Sequence, residues 1–368
     1  MLERAATDRV FRDDVLVLCS RDPLWWMNTF VWTFNPRSDA KQRYGSTVIP
    51  FITWRFQDHV ISEISRAITG GYDLVIEKSR DMGGTWMVLL VFLWRVLFGG
   101  MDKFLLVSRK EELVDGAGDM DALMPKLDFT LKYLPGWMVP DVGRQDRSLV
   151  NEENGASITG EASVEDAGRG GRATAMLSDE HAANPQARGL TAATADLTDC
   201  RIFVFTPKGS ANDAYDLAHD PDRRVLTVHW ALHPRKAEGL YVGEGGKLRS
   251  PWYDRECKRR GRSQEVAQEL DIDYLASDYE FFDPDEITRL IQGEAREAVS
   301  RGELEFSDDP RSARYRPADG GRLHLWMPAA ESGQTAPVPG RHYVMGVDVA
   351  VGKRDSYGGG YSNSGCIV

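Results

Sequence analysis

Between residues 55 and 108 the chain alternates between two hydrophobic periods. RFQDHVISEISRAI (55–68) spaces its apolar residues three and four apart, which predicts a helix. YDLVIE (72–77) is a short apolar run and predicts a strand. The apolar stretch at 84–98, with MVLLVFLWRVLF at 87–98, predicts a buried helix. It is too short for a membrane span and carries Arg95. KFLLVS (103–108) predicts a second strand, and KEELVDGAGDMDALMPKL (110–127) a further helix. ASITGE (156–161), RATAMLS (172–178) and RIFVFT (201–206) predict strands as well. Strands that alternate with helices indicate an α/β domain with a largely parallel sheet. Fully apolar strands fit a sheet covered on both faces.

The flanking regions read differently. Residues 11–34 carry Trp25, Trp26, Phe30, Trp32 and Phe34. At helical spacing such aromatics are expected in a core, and a stacking platform for single-stranded nucleic acid is the alternative. NPRSDAKQRYGS (35–46) is polar and rich in breakers and predicts a loop. After about residue 225 the rhythm changes. RECKRRGRSQEVAQELDIDYL (255–275) is charged and helical in period, 293–340 has no firm period, and RHYVMGVDVAVG (341–352) predicts a strand running into a glycine.

The net charge of −11 argues against a broadly basic coat for nucleic acid and leaves room for a local cationic groove. Cys19, Cys200, Cys257 and Cys366 are scattered without a C-x-x-C pair. The spacing suggests neither a zinc site nor a disulfide framework, and a reduced, intracellular protein is expected. The charged N-terminus, MLERAATDRVFRDD, lacks the apolar core of a signal peptide.

Candidate chemistry begins at KSRDMGGT (78–85), between the first strand and the apolar helix. The usual phosphate-binding loop, G-x-x-x-x-G-K-[ST], has a lysine where this chain has Gly84. Gly83 and Gly84 allow close backbone approach, the helix N-terminus favours an anion, and Thr85 can offer a hydroxyl to Mg²⁺. Lys78, at the front of the motif, can reach back as the missing cation, and Arg80 is a second candidate. An ordinary strand–helix turn is the plain alternative. A second motif, ATAMLSDEHA (173–182), ends an apolar strand in Asp179-Glu180. The aspartate can hold Mg²⁺ through water, and the glutamate can polarise an attacking water. A third, RIFVFTPKGS (201–210), places Thr206 at the sheet's carboxyl edge or in a plain turn.

Together these motifs resemble the large terminase subunit, the DNA-packaging motor of tailed bacteriophages. KSRDMGGT resembles its deviant Walker A, LSDEHA its Walker B and FTPKGS its coupling motif. ITWRFQ resembles the adenine-side motif, LLVSRKEE the second-strand motif, and EVAQELDIDYLASDYEFF the segment after the ATPase core, with two aromatics replaced. The resemblance implies an α/β P-loop NTPase fold of the ASCE, RecA-like class at 1–225. It implies a small linker subdomain at 226–335 and the first strands of an RNase H-like nuclease domain at 336–368. It implies ATP and Mg²⁺ as cofactors, with Lys78, Ser79, Arg80, Asp81, Met82, Gly83, Gly84, Thr85 and Trp86 around the phosphates and Gln57 near the base. Thr85 and Asp179 would hold Mg²⁺, Glu180 would orient water, and Thr206 would report hydrolysis. Arg80, Arg169 or Arg172 would act on the γ-phosphate. YVMGVDVAVGKRD resembles the first nuclease strand, with Asp348 as first metal ligand and Asp355 at a further acidic position. The later carboxylates lie beyond Val368, so nuclease activity is not expected of this chain.

The resemblance further implies double-stranded DNA, a homo-oligomeric ring, a portal protein and a small terminase subunit as partners. It implies no membrane, and the cytoplasm of an infected bacterium as location. KRRGR (258–262) is read as a solvated helix face in preference to a DNA contact, and His181 as structural. A helicase-like ATPase and an inactive, prophage-derived nucleotide binder are the competing readings.

Overall fold

The computed structural model describes residues 1–276 other than 117, 164–167, 169 and 170. Beyond these it describes 289, 293, 297, 298, 300–306, 313–321, 323–325, 346–348 and 365–367. The chain divides into two compact units, Met1–Tyr279 and Glu280–Val368.

The first unit opens with helices α1 (Leu2–Thr7), α2 (Arg9–Arg21) and α3 (Pro23–Phe30). Aspartates start two of them. The Asp8 carboxylate accepts from Phe11 N–H at 3.0 Å and that of Asp22 from Leu24 N–H at 2.8 Å, with Pro23 at the first position of α3. The aromatics here build core: Trp26, Met27 and Phe30 are buried, and Trp26 meets Phe98 edge-on at 6.0 Å. Strands β1 (Trp32–Phe34) and β2 (Val48–Pro50) form a small antiparallel pair. Between them α4 (Ser38–Tyr44) occupies the stretch expected to be a loop, ending where Gly45 takes φ +66°.

The main sheet follows. Its strands are β3 (Leu74–Lys78), β4 (Lys103–Ser108), β5 (Val142–Gln145), β6 (Ser148–Asn151), β7 (Ser157–Ala162), β8 (Ala175–Asp179), β9 (Arg201–Phe205) and β10 (Arg224–Val228). They lie in the order β10-β3-β9-β8-β4-β7-β6-β5. The run from β10 to β7 is parallel, and β6 and β5 add an antiparallel hairpin. Helices α5 (Arg55–Gly70), α6 (Gly84–Phe98), α7 (Glu111–Val114), α8 (Leu123–Tyr133), α9 (Ala187–Ala193) and α10 (Asp213–His219) flank it. Both sheet faces are covered, as the apolar strands require. Leu74 and Ile76 join the large core with α5 and α6, while Val75 packs with Phe203, Phe205 and Leu217 on the other side. Helix α6 is buried along most of its length, and its Phe92 stacks on Phe104 at 4.2 Å. Each such large side chain contributes about 1.5–3 kcal/mol on burial.

Two expectations change here. The single helix expected over 110–127 is two helices, because Gly116 and Gly118 interrupt it, Gly118 with φ +73°. Asp115, at the break, accepts from Arg144 Nη2 at 2.9 Å and from Arg147 N–H at 2.8 Å. The limit expected near 225 falls inside β10, whose pairing with β3 carries the sheet to Val228.

Residues 229–276 pack within the same unit. They hold the short hairpin β11 (Tyr241–Val242) and β12 (Leu248–Arg249), helices α11 (Pro251–Arg260) and α12 (Ser263–Val266), and a π-helical turn at Ala267–Asp271. Gly261, with φ +73°, splits the charged helical stretch. Trp230, Tyr253 and Leu270 form a small core, with Trp230 stacked on Tyr253 at 4.9 Å. The Arg259 and Arg260 guanidinium groups of KRRGR both pair with Glu256, at 2.5 and 3.6 Å.

In the second unit, β13 (Ser300–Phe306) pairs antiparallel with β14 (Ala313–Pro317) and β15 (Leu323–Leu325). Strand β16 (Gly346–Asp348) pairs antiparallel with β17 (Gly365–Ile367). Asp348 ends β16, and Asp355 lies outside the described residues. No helix among the described residues is long and apolar enough to cross a membrane.

Candidate functional site

Strands β3, β8 and β9 are neighbours and parallel, so their carboxyl ends open on one side of the sheet. There a cleft of about 480 Å³ is lined by Lys78, Arg80–Trp86, Arg109, Lys126, Asp179, Glu180, Thr206 and Glu269, among others. Parallel sheets place ligands at this edge.

Lys78 ends β3. Its ammonium donates to Thr206 Oγ1, one residue past β9, at 3.3 Å. Burial pushes its pKa down, and the negative charge of Asp179 works against that shift. The loop then turns through two left-handed positions, Asp81 at φ +60° and Gly83 at φ +80°. Helix α6 starts at Gly84 and aims the positive end of its dipole at the cleft. A Cβ on Gly84 would lie 2.8 Å from Lys78 Cδ, so the lysine stem crosses the backbone where a lysine usually stands.

Thr85 Oγ1 donates to Asp179 Oδ1 at 2.8 Å, joining the first turn of α6 to the end of β8. Burial raises the Asp179 pKa, while the Thr85 hydrogen bond and Lys78 oppose the rise. Glu180, at φ +53°, leaves the strand line and accepts from Arg109 Nε at 3.1 Å. Both partners of that pair are substantially exposed. A hydroxyl and a carboxylate side by side form a hard oxygen set that fits Mg²⁺, with phosphate and water oxygens as the remaining ligands. Among the described residues no group of three His, Cys, Asp or Glu gathers into a fuller metal site.

Other expected residues lie at the edge of this arrangement or outside it. Ser79 is fully buried and faces away from the cleft: its Oγ donates to Leu270 O at 2.5 Å and accepts from Trp230 N–H at 2.9 Å. The Gln57 amide is shared between Trp54 N–H, which donates to Oε1 at 3.0 Å, and Met82 O, which accepts from Nε2 at 3.4 Å. It thus braces the loop from behind Gly83, whose Cβ would stand 2.9 Å from Gln57 Nε2. Arg80 lines the cleft beside Glu269, at 3.5 Å. Arg172 lines a separate hollow with Gly168, Asp196 and Leu197, and Arg169 lies outside the described residues.

Three cations escaped the sequence reading. Arg109 follows β4. Lys126 lies in the first turn of α8, buried, with its Nζ on Asp121 O at 2.5 Å and Ala122 O at 3.0 Å. Its signal was available: one lysine in the apolar run LMPKL. Lys236 reaches the loop from residues 229–276, where no period gave it away. His181, read from the sequence as structural, is buried beneath the cleft. It bridges Ser178 Oγ at 2.8 Å and Asp213 Oδ2 at 2.9 Å, and its exposure is 0%. A larger hollow, about 690 Å³, lies at the opposite end of the strands. Its Arg201 and Arg223 are both paired with Asp73, at 2.5 and 2.8 Å.

No family model and no curated protein matches the chain. Solved structures do. Bacteriophage large terminases are among them. The ATPase domain of the Thermus phage P74-26 large terminase is 15% identical, with a TM-score of 0.42, over 66% of this chain and 100% of that one. The HK97 large terminase is 12% identical, with a TM-score of 0.44, over 78% of this chain and 62% of that one. The large terminase of a thermophilic bacteriophage, in complex with ADP, is 13% identical, with a TM-score of 0.43, over 69% of this chain and 61% of that one. The chain thus spans about three fifths of the latter two.

Proposed function

We propose that this chain is the ATP-hydrolysing part of a large-terminase motor that moves double-stranded DNA into a viral procapsid. The observation that supports it is the convergence in one cleft of three motifs separated in sequence: the loop 78–86, Asp179-Glu180 and Thr206. Phosphates of ATP would lie against the loop amides and the start of α6, with Lys78 as the cation. Thr85 and Asp179 would hold Mg²⁺, which when bound neutralises charge on the phosphate oxygens. Glu180 would accept a proton from the attacking water or orient it. Arg80, which lines the cleft beside Glu269, would meet the γ-phosphate within the chain. Thr206, bonded to Lys78 and followed by the connection into α10, would pass the state of the site to the rest of the domain.

Translocation of DNA, assembly into a ring, the portal protein and small subunit as partners, and work in the cytoplasm of an infected bacterium belong to the same proposal. They rest on the motif resemblance. The test is Mg²⁺-dependent ATP hydrolysis, with and without double-stranded DNA, by the wild type, Lys78→Ala and Glu180→Ala. Turnover that both substitutions abolish supports the proposal. Turnover that survives Glu180→Ala overturns the site.

A further inference from the structure

Lys236 has no place in the chemistry above, yet it is the cation most closely bound to the loop's backbone. Its Nζ donates to Arg80 O at 2.6 Å and to Asp81 O at 3.2 Å, and lies 3.6 Å from Met82 Sδ. The side chain is 7% exposed, runs beside the Trp252 ring at 4.8 Å, and is not among the residues that line the cleft. Its own carbonyl accepts from Ser250 Oγ at 2.6 Å.

The same region grips the loop elsewhere. Ser79 N–H donates to Val228 O at 3.1 Å, Arg80 N–H donates to Glu269 O at 2.7 Å, and Ser79 Oγ bridges Leu270 O and Trp230 N–H. The first half of the phosphate loop is therefore shaped by residues 228–270 as much as by the strand before it.

A trans peptide points its C=O and the following N–H in opposite directions. With the carbonyls of Arg80 and Asp81 drawn toward Lys236, the amides of Asp81 and Met82 turn the other way. Met82 N–H ends the hydrogen-bonded turn over Arg80 and Asp81, whereas among the described residues no protein group accepts from the Asp81 amide. A free backbone amide at a left-handed residue of a turn is a ready donor to an anion. We propose that Lys236 is a positioning residue of the phosphate loop, holding two carbonyl oxygens back so that the Asp81 amide between them faces the phosphates.

The proposal rests on reading the cleft as a nucleotide site. It explains why a buried ammonium is tolerated. Three donors and no acceptor match a cluster of carbonyls, whereas an apolar residue would leave those oxygens unpaired. Asp81 and Glu256 favour the charge, and Arg37 and Lys78 oppose it. Burial, with the two cations, outweighs the carboxylates and pulls the pKa down to about 8.

The experiment compares the wild-type chain with Lys236→Met and Lys236→Arg, reading equilibrium binding of fluorescent ADP and ATP analogues and the thermal midpoint without nucleotide. The methionine variant is expected to bind both nucleotides about tenfold or more weakly, because the loop amide is no longer held toward the phosphates. Its nucleotide-free midpoint is expected to fall modestly, because Arg80 O and Asp81 O lose their buried donor, so affinity is compared at a temperature where both proteins are folded. Arginine is expected to restore most of the affinity. Wild-type affinity is expected to fall as pH rises through about 8, where Lys236 discharges, and that of Lys236→Arg to stay level. If the methionine variant does not fold, this pH series decides the matter. Methionine binding within twofold of wild type overturns the inference, as does a parallel loss of affinity and stability that arginine fails to restore. A wild type that binds neither nucleotide removes the reading of the cleft, and the inference with it.

Discussion

The aliphatic stem of Lys78 passes over Gly84 so closely that a Cβ there would lie 2.8 Å from Lys78 Cδ and 3.1 Å from its Cε. The lysine at the front of the loop and the glycine in the usual lysine position are therefore one arrangement. The cation enters from β3, crosses the start of α6 and ends on Thr206, and the crossing needs a residue without a side chain. A lysine in the usual place would meet the one already there.

Gly84→Ala tests that relationship. Alanine is the better helix former by about 0.5–1 kcal/mol, so the substitution alone would not unfold the protein. Its methyl would also stand 3.1 Å from Val204 Cγ1, so the flexible lysine stem is the neighbour that gives way. The thermal midpoint is expected to change little, while ATP turnover falls by about tenfold or more as Lys78 leaves Thr206. Gly83→Ala is the contrast. At φ +80° an alanine costs about 1–2 kcal/mol, so there stability falls as well. Full turnover by Gly84→Ala would show that the crossing does not matter.

The sequence disclosed the elements of the parallel sheet because two covered faces demand long apolar strands, and β3, β4, β8 and β9 carry them. It named Asp179 and Thr85 because each holds a set place in its own motif, one at a strand end and one at a helix start, and the fold then brings them to 2.8 Å. Ser79 and Gln57 were assigned to the ligand by position in their motifs. Only the fold shows that Ser79 faces Leu270 and Trp230 and that Gln57 braces Met82. Lys236 was invisible for the same reason: 154 residues separate it from Met82, which its ammonium touches, and no local period encodes a contact of that range. The hairpin β5–β6 and edge strand β10 were missed because VGRQ, SLVN and RVLTV are short and mixed in polarity, as suits strands at the sheet's edges.

The Thr85–Asp179 bond predicts a metal-dependent response. Thr85→Val keeps the shape of the side chain and removes the donor, leaving a buried carboxylate without that partner. A cost of about 1–3 kcal/mol is expected without ligand. For the wild type, ADP with Mg²⁺ at a hundred times its Kd should add about 2.7 kcal/mol. At ~2–4 °C per kcal/mol for a unit of this size, the midpoint should rise by about 5–10 °C. Chelating the metal is expected to remove most of the rise in the wild type and to change little in Thr85→Val. An equal response to chelation in both proteins would place the metal elsewhere.

The Ser178–His181–Asp213 chain predicts how the domain behaves in acid. Asp213 starts α10, and its carboxylate accepts from Thr191 Oγ1 at 2.6 Å besides its contact with His181. Burial works to raise its pKa, but the hydrogen bonds from His181 and Thr191 outweigh that and hold it below the usual carboxylate value. A carboxyl whose pKa is depressed by folding contributes stability that is complete above its unfolded value of about 3.9 and lost as pH falls through the folded value. Urea midpoints measured from pH 7 to pH 3 should therefore drop more steeply below pH 4 in the wild type than in Asp213→Asn. At pH 7, His181→Ala should cost about 1–3 kcal/mol through the partners it strands in the core. Because His181 follows Glu180 directly, the same variant should lose turnover at temperatures where it remains folded, through misplacement of that carboxylate. Parallel acid profiles for wild type and Asp213→Asn would mean that this carboxylate does not anchor α10 to the strand that carries Asp179.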